Sequence, residues 1–195
     1  MRTKSNELTR KLVLGGLLTA LVIVFQLLGS FTAFFGPFST AVALIPIVIG
    51  AALCGVGIGT WLGVAFALTV LFSGGAALFW AFDIPGTLIT VLVKGAACGF
   101  AAGFVYRLLK RFNRYLAAVA AAVVAPIVNT GVFLLGCLCF FMDDAAAIGE
   151  LLGSTNAGFG LFVGMAFANF LFELGMSVVL SPVIVRLLDI QKKIA

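Results

Sequence analysis

Between Leu12 and Phe82 the chain carries no Asp, Glu, Lys or Arg, a run of 71 residues. One helical crossing of a bilayer takes roughly 20 apolar residues, so this run alone has the length for about three crossings. Composition extends the conclusion to the whole chain of 195 residues, which is 63% hydrophobic and 10% charged. Soluble domains carry about 25% charged residues, and a water-facing surface cannot be clothed from so small a supply. The chain therefore reads as a single-domain, all-α integral membrane protein with no soluble module attached. A closed β-barrel also satisfies every backbone group in lipid. Barrel strands, however, alternate apolar and polar residues over ~10 positions, and these segments are apolar on every side. The first apolar run continues past signal-peptide length, and no A-x-A cleavage pattern follows it.

Breaks in the apolar pattern divide the chain into six expected spans, at about 12–29, 40–53, 60–72, 87–108, 115–141 and 158–188. The basic residues test that division. Arg2, Lys4, Arg10 and Lys11 precede the first span, Arg107, Lys110, Arg111 and Arg114 lie at the end of the fourth or just after it, and Arg186, Lys192 and Lys193 at the end of the sixth or just after it. Six crossings put eleven of the twelve basic residues on one side, together with both termini. By the positive-inside rule that side is the cytoplasm. Asp83, Asp143, Asp144 and Glu150 then fall outside. The net charge of +5 is accounted for by orientation in a cell membrane, crossed several times, rather than by nucleic-acid binding.

The twelfth basic residue, Lys94, lies about seven residues into the fourth span, roughly 10 Å below the outer surface. A lysine at the centre of a membrane helix costs about 2.5–3.5 kcal/mol to insert, so it is expected to face a partner or a wet cavity. Glu173 is the one acid inside a span. Asn169 lies one helical turn before it, on the same face. Asn129 and Thr130 interrupt the fifth span just after Pro126, which frees a backbone carbonyl. Lys94, Asn129, Thr130 and Asn169 are expected to share a cavity in the outer half. Glu173, counted from the start of the sixth span, sits deepest and fits least well. Phe79, Trp80 and Phe82 stand at the outer boundary, where an aromatic belt and a ligand site account for them equally.

Other chemistry is excluded or disfavoured. The chain has no histidine, so neither a Ser-His-Asp nor a Cys-His set exists. Cys54, Cys98, Cys137 and Cys139 lack metal-ligand spacing and read as small packing residues. There is no G-x-x-x-x-G-K-[ST] phosphate loop. No enzyme activity, cofactor or metal is expected. Glycines recur every four residues, at Gly59 and Gly63 and at Gly95, Gly99 and Gly103, a spacing that lets helices pack closely. Gly16 and Ala20 form a similar pair in the first span.

The segments "RKLVLGGLLTAL", "FGPFSTAVALIPIVIGAALCGVGIGTWLG", "VLVKGAACGFAAGFVYRLLKR" and "APIVNTGVFLLG", in that order, resemble the substrate-binding (S) components of energy-coupling factor transporters. The resemblance covers nearly the whole chain. It implies a six-helix membrane protein that captures a vitamin from outside and works with a transmembrane coupling protein and two ATPases. The missing phosphate loop then has a reason, because the partners hydrolyse ATP. The family's Ala-x-x-x-Ala contact with the coupling protein falls on Gly16 and Ala20, with glycine in place of the first alanine. The implied ligand site uses Lys94, Asn129 and Asn169, with Trp80 and Gln26, beneath a loop at Ser30–Phe38. Lys94 points to an anionic ligand, which among vitamins puts pantothenate ahead of folate and riboflavin. Two other readings stay open. One is a self-sufficient secondary transporter using Lys94 and Glu173 as an ion-linked pair. The other is a membrane scaffold in which that pair is structural.

Overall fold

The computed structural model describes residues 4–32, 42–142 and 158–194. All regular structure among them is helical. The order is α1 (Lys4–Thr32), α2 (Leu44–Cys54), α3 (Val56–Phe72), α4 (Ala77–Trp80), α5 (Ile84–Leu109), α6 (Arg114–Phe140) and α7 (Gly158–Ile194). Asp83 caps α5 by accepting a hydrogen bond from the Gly86 amide at 3.1 Å. Pro85 follows in the first turn, where its missing N–H leaves no bond unmade. Asn113 caps α6 through the Tyr115 amide at 2.8 Å. The polar breaks in the sequence thus become helix starts.

Four helices contain a stretch long and apolar enough to cross a bilayer: Leu8–Ser30 in α1, all of α5, all of α6, and Ala166–Arg186 in α7. The second and third expected spans are shorter. With 11 and 17 residues, α2 and α3 reach about 17 and 26 Å, against a hydrocarbon core of about 30 Å. The reason is visible in their packing. Gly55, at φ 99°, joins them with no intervening loop. A Cβ on Gly59 would meet Ala51, and one on Gly50 would collide with Leu62. These pairings mirror one another about Gly55, so the two helices form an antiparallel hairpin. α2 then packs against α1, α3, α5, α6 and α7, and Pro46 through Ala51 are all buried. A helix apolar on every side and walled by protein meets little lipid, so its length is not set by bilayer thickness.

The seam between α3 and α5 is backbone against backbone. A Cβ on Gly63 would strike the Gly95 carbonyl, one on Gly99 the Gly59 carbonyl, and one on Gly103 the backbone of Val56. The helices therefore run antiparallel, with the glycines spaced as close approach demands. Gly15 of α1 lies against Ile58, and at the other end Ser30 donates to the Ser73 hydroxyl at 2.9 Å. These contacts set the ends of the bundle. Arg10, Lys11, Arg107, Lys110, Arg111 and Arg114 gather at the end marked by Val56 and Gly103. Ser30, Ser73 and α4 mark the other.

Candidate functional site

α5 presents two faces to its neighbours. Gly95, Gly99 and Gly103 meet α3. Thr87, Thr90, Val91, Lys94 and Cys98 form an adjoining buried stripe. Lys94 is only 9% exposed. Its ammonium stands 4.9 Å from the centre of the Phe133 ring and 6.0 Å from that of Phe66. Aromatic faces are electron-rich and partly offset the lost hydration of the cation.

On α6, Asn129 and Phe133 are one turn apart and share a face, with Thr130 beside them. On α7, Ala166, Asn169 and Glu173 follow the same helical spacing. These three stripes converge on a cavity of about 150 Å³ lined by Lys94, Asn129, Thr130, Phe133, Ala166, Asn169 and Glu173. Val70 of α3, Val91 of α5 and the segment carrying Gly75, Ala76 and Phe79 complete the wall. A positive φ of 82° at Gly74 turns the chain there. Phe79 then packs edge-on against Phe133 at 5.5 Å and Phe141 at 5.1 Å. The cavity lies toward the end of the bundle opposite the basic cluster.

Glu173 is the hub of this cavity, with 0% exposure. The Asn169 amide donates to its Oε1 at 2.8 Å and the Asn129 amide to its Oε2 at 3.2 Å. A carboxylate only accepts, so each amide must turn its nitrogen toward Glu173 and its oxygen away. The consequence falls on Asn129: among the described residues nothing donates to its Oδ1, which is buried. A buried acceptor left unmet costs roughly 1–3 kcal/mol, and here it sits in the wall of an open cavity.

The structure brings together Lys94, Asn129, Thr130, Asn169 and Glu173. Trp80 and Gln26 do not line the cavity. Trp80 packs partly buried against the main apolar core. Gln26 is buried on α1, where its Nε2 reaches the Ser30 hydroxyl at 3.5 Å. Of the loop at Ser30–Phe38, residues 33–38 lie outside the described residues. Glu173, which depth seemed to set apart, lines the same chamber as Lys94, Asn129, Thr130 and Asn169. Phe133 and Val91 went unnoticed, though Phe133 lies one turn from Asn129 and Val91 one turn from Lys94. On α1, Gly16 and Ala20 face outward, exposed, and nothing stands within 4 Å of where a Gly16 Cβ would be.

A family model described as ECF transporter, substrate-specific component, matches residues 10–185. Neither the curated proteins nor the solved structures yield a match.

Proposed function

Because the chain belongs to the substrate-specific components of ECF transporters, we propose that its α5–α7 cavity captures a small water-soluble vitamin or a solute like one. As a family member it is a transporter subunit, not an enzyme, and works with the coupling protein and ATPases of such a transporter. In this reading six helices cross the cell membrane, both termini are cytoplasmic, and the cavity opens toward the outside. The clustering of basic residues at the opposite end supports that sidedness. The exposed Gly16 and Ala20 on α1 are the proposed seat of the coupling protein, since no neighbour within the described chain occupies them.

One observation carries the proposal. Lys94, Asn129, Asn169 and Glu173, from three different helices, converge on one cavity. Intramembrane ionisable groups are expensive, and four such polar groups converging by packing accident is the poorer account. The sequence favours pantothenate for a carboxylate toward Lys94 and for hydroxyls and an amide toward Asn129 and Asn169; Glu173 in the same wall weakens the case for a guest with a single negative charge. The test is reconstitution. Co-expressed with a coupling protein and two ATPases, the chain should co-purify with them and support ATP-driven uptake. Failure to associate would overturn the subunit reading.

The shared lining by Lys94 and Glu173 also suits an ion-coupled carrier acting alone. Gradient-driven uptake into liposomes holding only this chain would establish that reading. Uptake that begins only once the energising partners are added would dismiss it.

A further inference from the structure

The chamber's charges constrain its guest more tightly than Lys94 alone. Resting on the substrate-capture reading above, we propose that the guest is a small zwitterion of amino-acid type. Its carboxylate meets Lys94, and its ammonium meets Glu173 and Asn129 Oδ1.

Three observations converge. First, among the described residues the charged lining is one ammonium and one carboxylate, Lys94 and Glu173, and the remaining lining is neutral. The two amide nitrogens directed at the Glu173 oxygens, at 2.8 and 3.2 Å, suit the ionised acid. The wall is then neutral overall. A guest with a single negative charge would leave a net charge in a low-dielectric space, which is costly, whereas a zwitterion leaves none. Second, among the described residues the wall has an unmet acceptor, Asn129 Oδ1, in a side chain 4% exposed. That atom calls for a donor, and a carboxylate offers none, whereas an ammonium has three N–H groups. Third, the cavity is about 150 Å³, similar to one that holds benzene in another protein. A guest seated within it carries both ionic groups on a short skeleton, with Phe79, Phe133 and Val91 against its apolar part.

The test uses the purified full chain in detergent and reads its thermal midpoint. The probes are the free amino acids from glycine to tryptophan, with β-alanine and 4-aminobutyrate. Each is paired with its deamino acid, which keeps one negative charge, and its decarboxylated amine, which keeps one positive charge. These analogues are smaller than the parent, so exclusion by size cannot explain their failure. At least one amino acid should stabilise the protein at concentrations about tenfold or more below those its analogues need, as expected for a lost charge-assisted hydrogen bond. In Glu173→Gln, that advantage over the deamino acid should shrink or reverse, because Lys94 would then face a monoanion without a competing charge. Deamino acids that stabilise the wild type as well as their parents, or no response to any zwitterion, would overturn the inference. Co-purification with the coupling protein and ATPases reads the subunit assignment without reference to ligand charge, so the two ideas can fail separately.

Discussion

Two neighbouring faces of α5 show opposite ways of placing a helix in a membrane protein. The face toward α3 has no side chains at its contact points, and Gly95 and Gly99 lie against the carbonyls of Gly63 and Gly59. The adjoining face carries Lys94 into a polar chamber shared with α6 and α7. One is dry, tight and intolerant of a single methyl group. The other keeps open space and carries a charge at its centre. Lys94 and Gly95 are consecutive, so the seam holds the backbone from which the ammonium projects. In physical terms, the glycines supply rigidity and the lysine supplies recognition. The two classes of substitution should therefore fail differently.

The largest effect is expected at the seam. Gly63→Leu or Gly99→Leu should abolish recovery of monodisperse protein. Overpacking a tight core usually costs about 1–3 kcal/mol, and here the obstacle is backbone, which yields less than a side chain. Size-exclusion profiles and thermal midpoints would show this. A variant that folds normally would mean that the seam is looser than described.

Next in size is Lys94→Met, which keeps an unbranched side chain of similar bulk. It should reduce ligand affinity by roughly 10- to 150-fold, the worth of a hydrogen bond to a charged group, while leaving the fold intact. Calorimetric titration beside a melting curve separates the two. A clearly lowered thermal midpoint with unchanged affinity of the protein that remains folded would instead support the structural-pair reading.

Gly16 sharpens the comparison, because it is a glycine without a seam. Gly16→Leu should move the stability of the isolated chain by no more than about 0.5 kcal/mol, as for ordinary surface changes, and leave ligand binding unaltered. Uptake by the assembled transporter should nevertheless fall. Lost ligand binding would show that this stripe packs inside the chain after all.

The smallest effect on function belongs to Ser73→Ala, which removes the 2.9 Å bond to Ser30 between α1 and the turn leading to Ala76 and Phe79. About 1 kcal/mol of stability rests on such a bond. Ligand dissociation should quicken modestly as that wall loosens, and stopped-flow release would detect it.

Much of this contrast was legible in the sequence, because lipid makes exceptions conspicuous. A lysine in "VLVKGAACGF" has to be justified by its surroundings, and the four-residue glycine period announces close packing. Helix starts at Asp83 and Asn113 follow from capping chemistry visible in the chain. What escaped was anything that depends on how helices sit along the membrane normal. Glu173 looked too deep when residues were counted along the sixth span alone, but such a count does not say which residues of α5 and α6 it faces, and it shares one wall with Lys94 and Asn129. That α2 is short for a bilayer follows from the expected span at 40–53, but its being walled by protein was hidden, because a buried apolar helix and a spanning one have the same composition. Gln26 and Trp80 are polar or aromatic in the right region but are not among the residues lining the described cavity, and no local pattern says which way a side chain faces.

The central claim is that the chamber around Lys94 is where a solute is held. Native mass spectrometry of the purified chain beside a folded Lys94→Met variant tests it most directly. A small molecule bound to the wild type and missing from the variant is the predicted result. The same molecule carried equally by both proteins would contradict the claim.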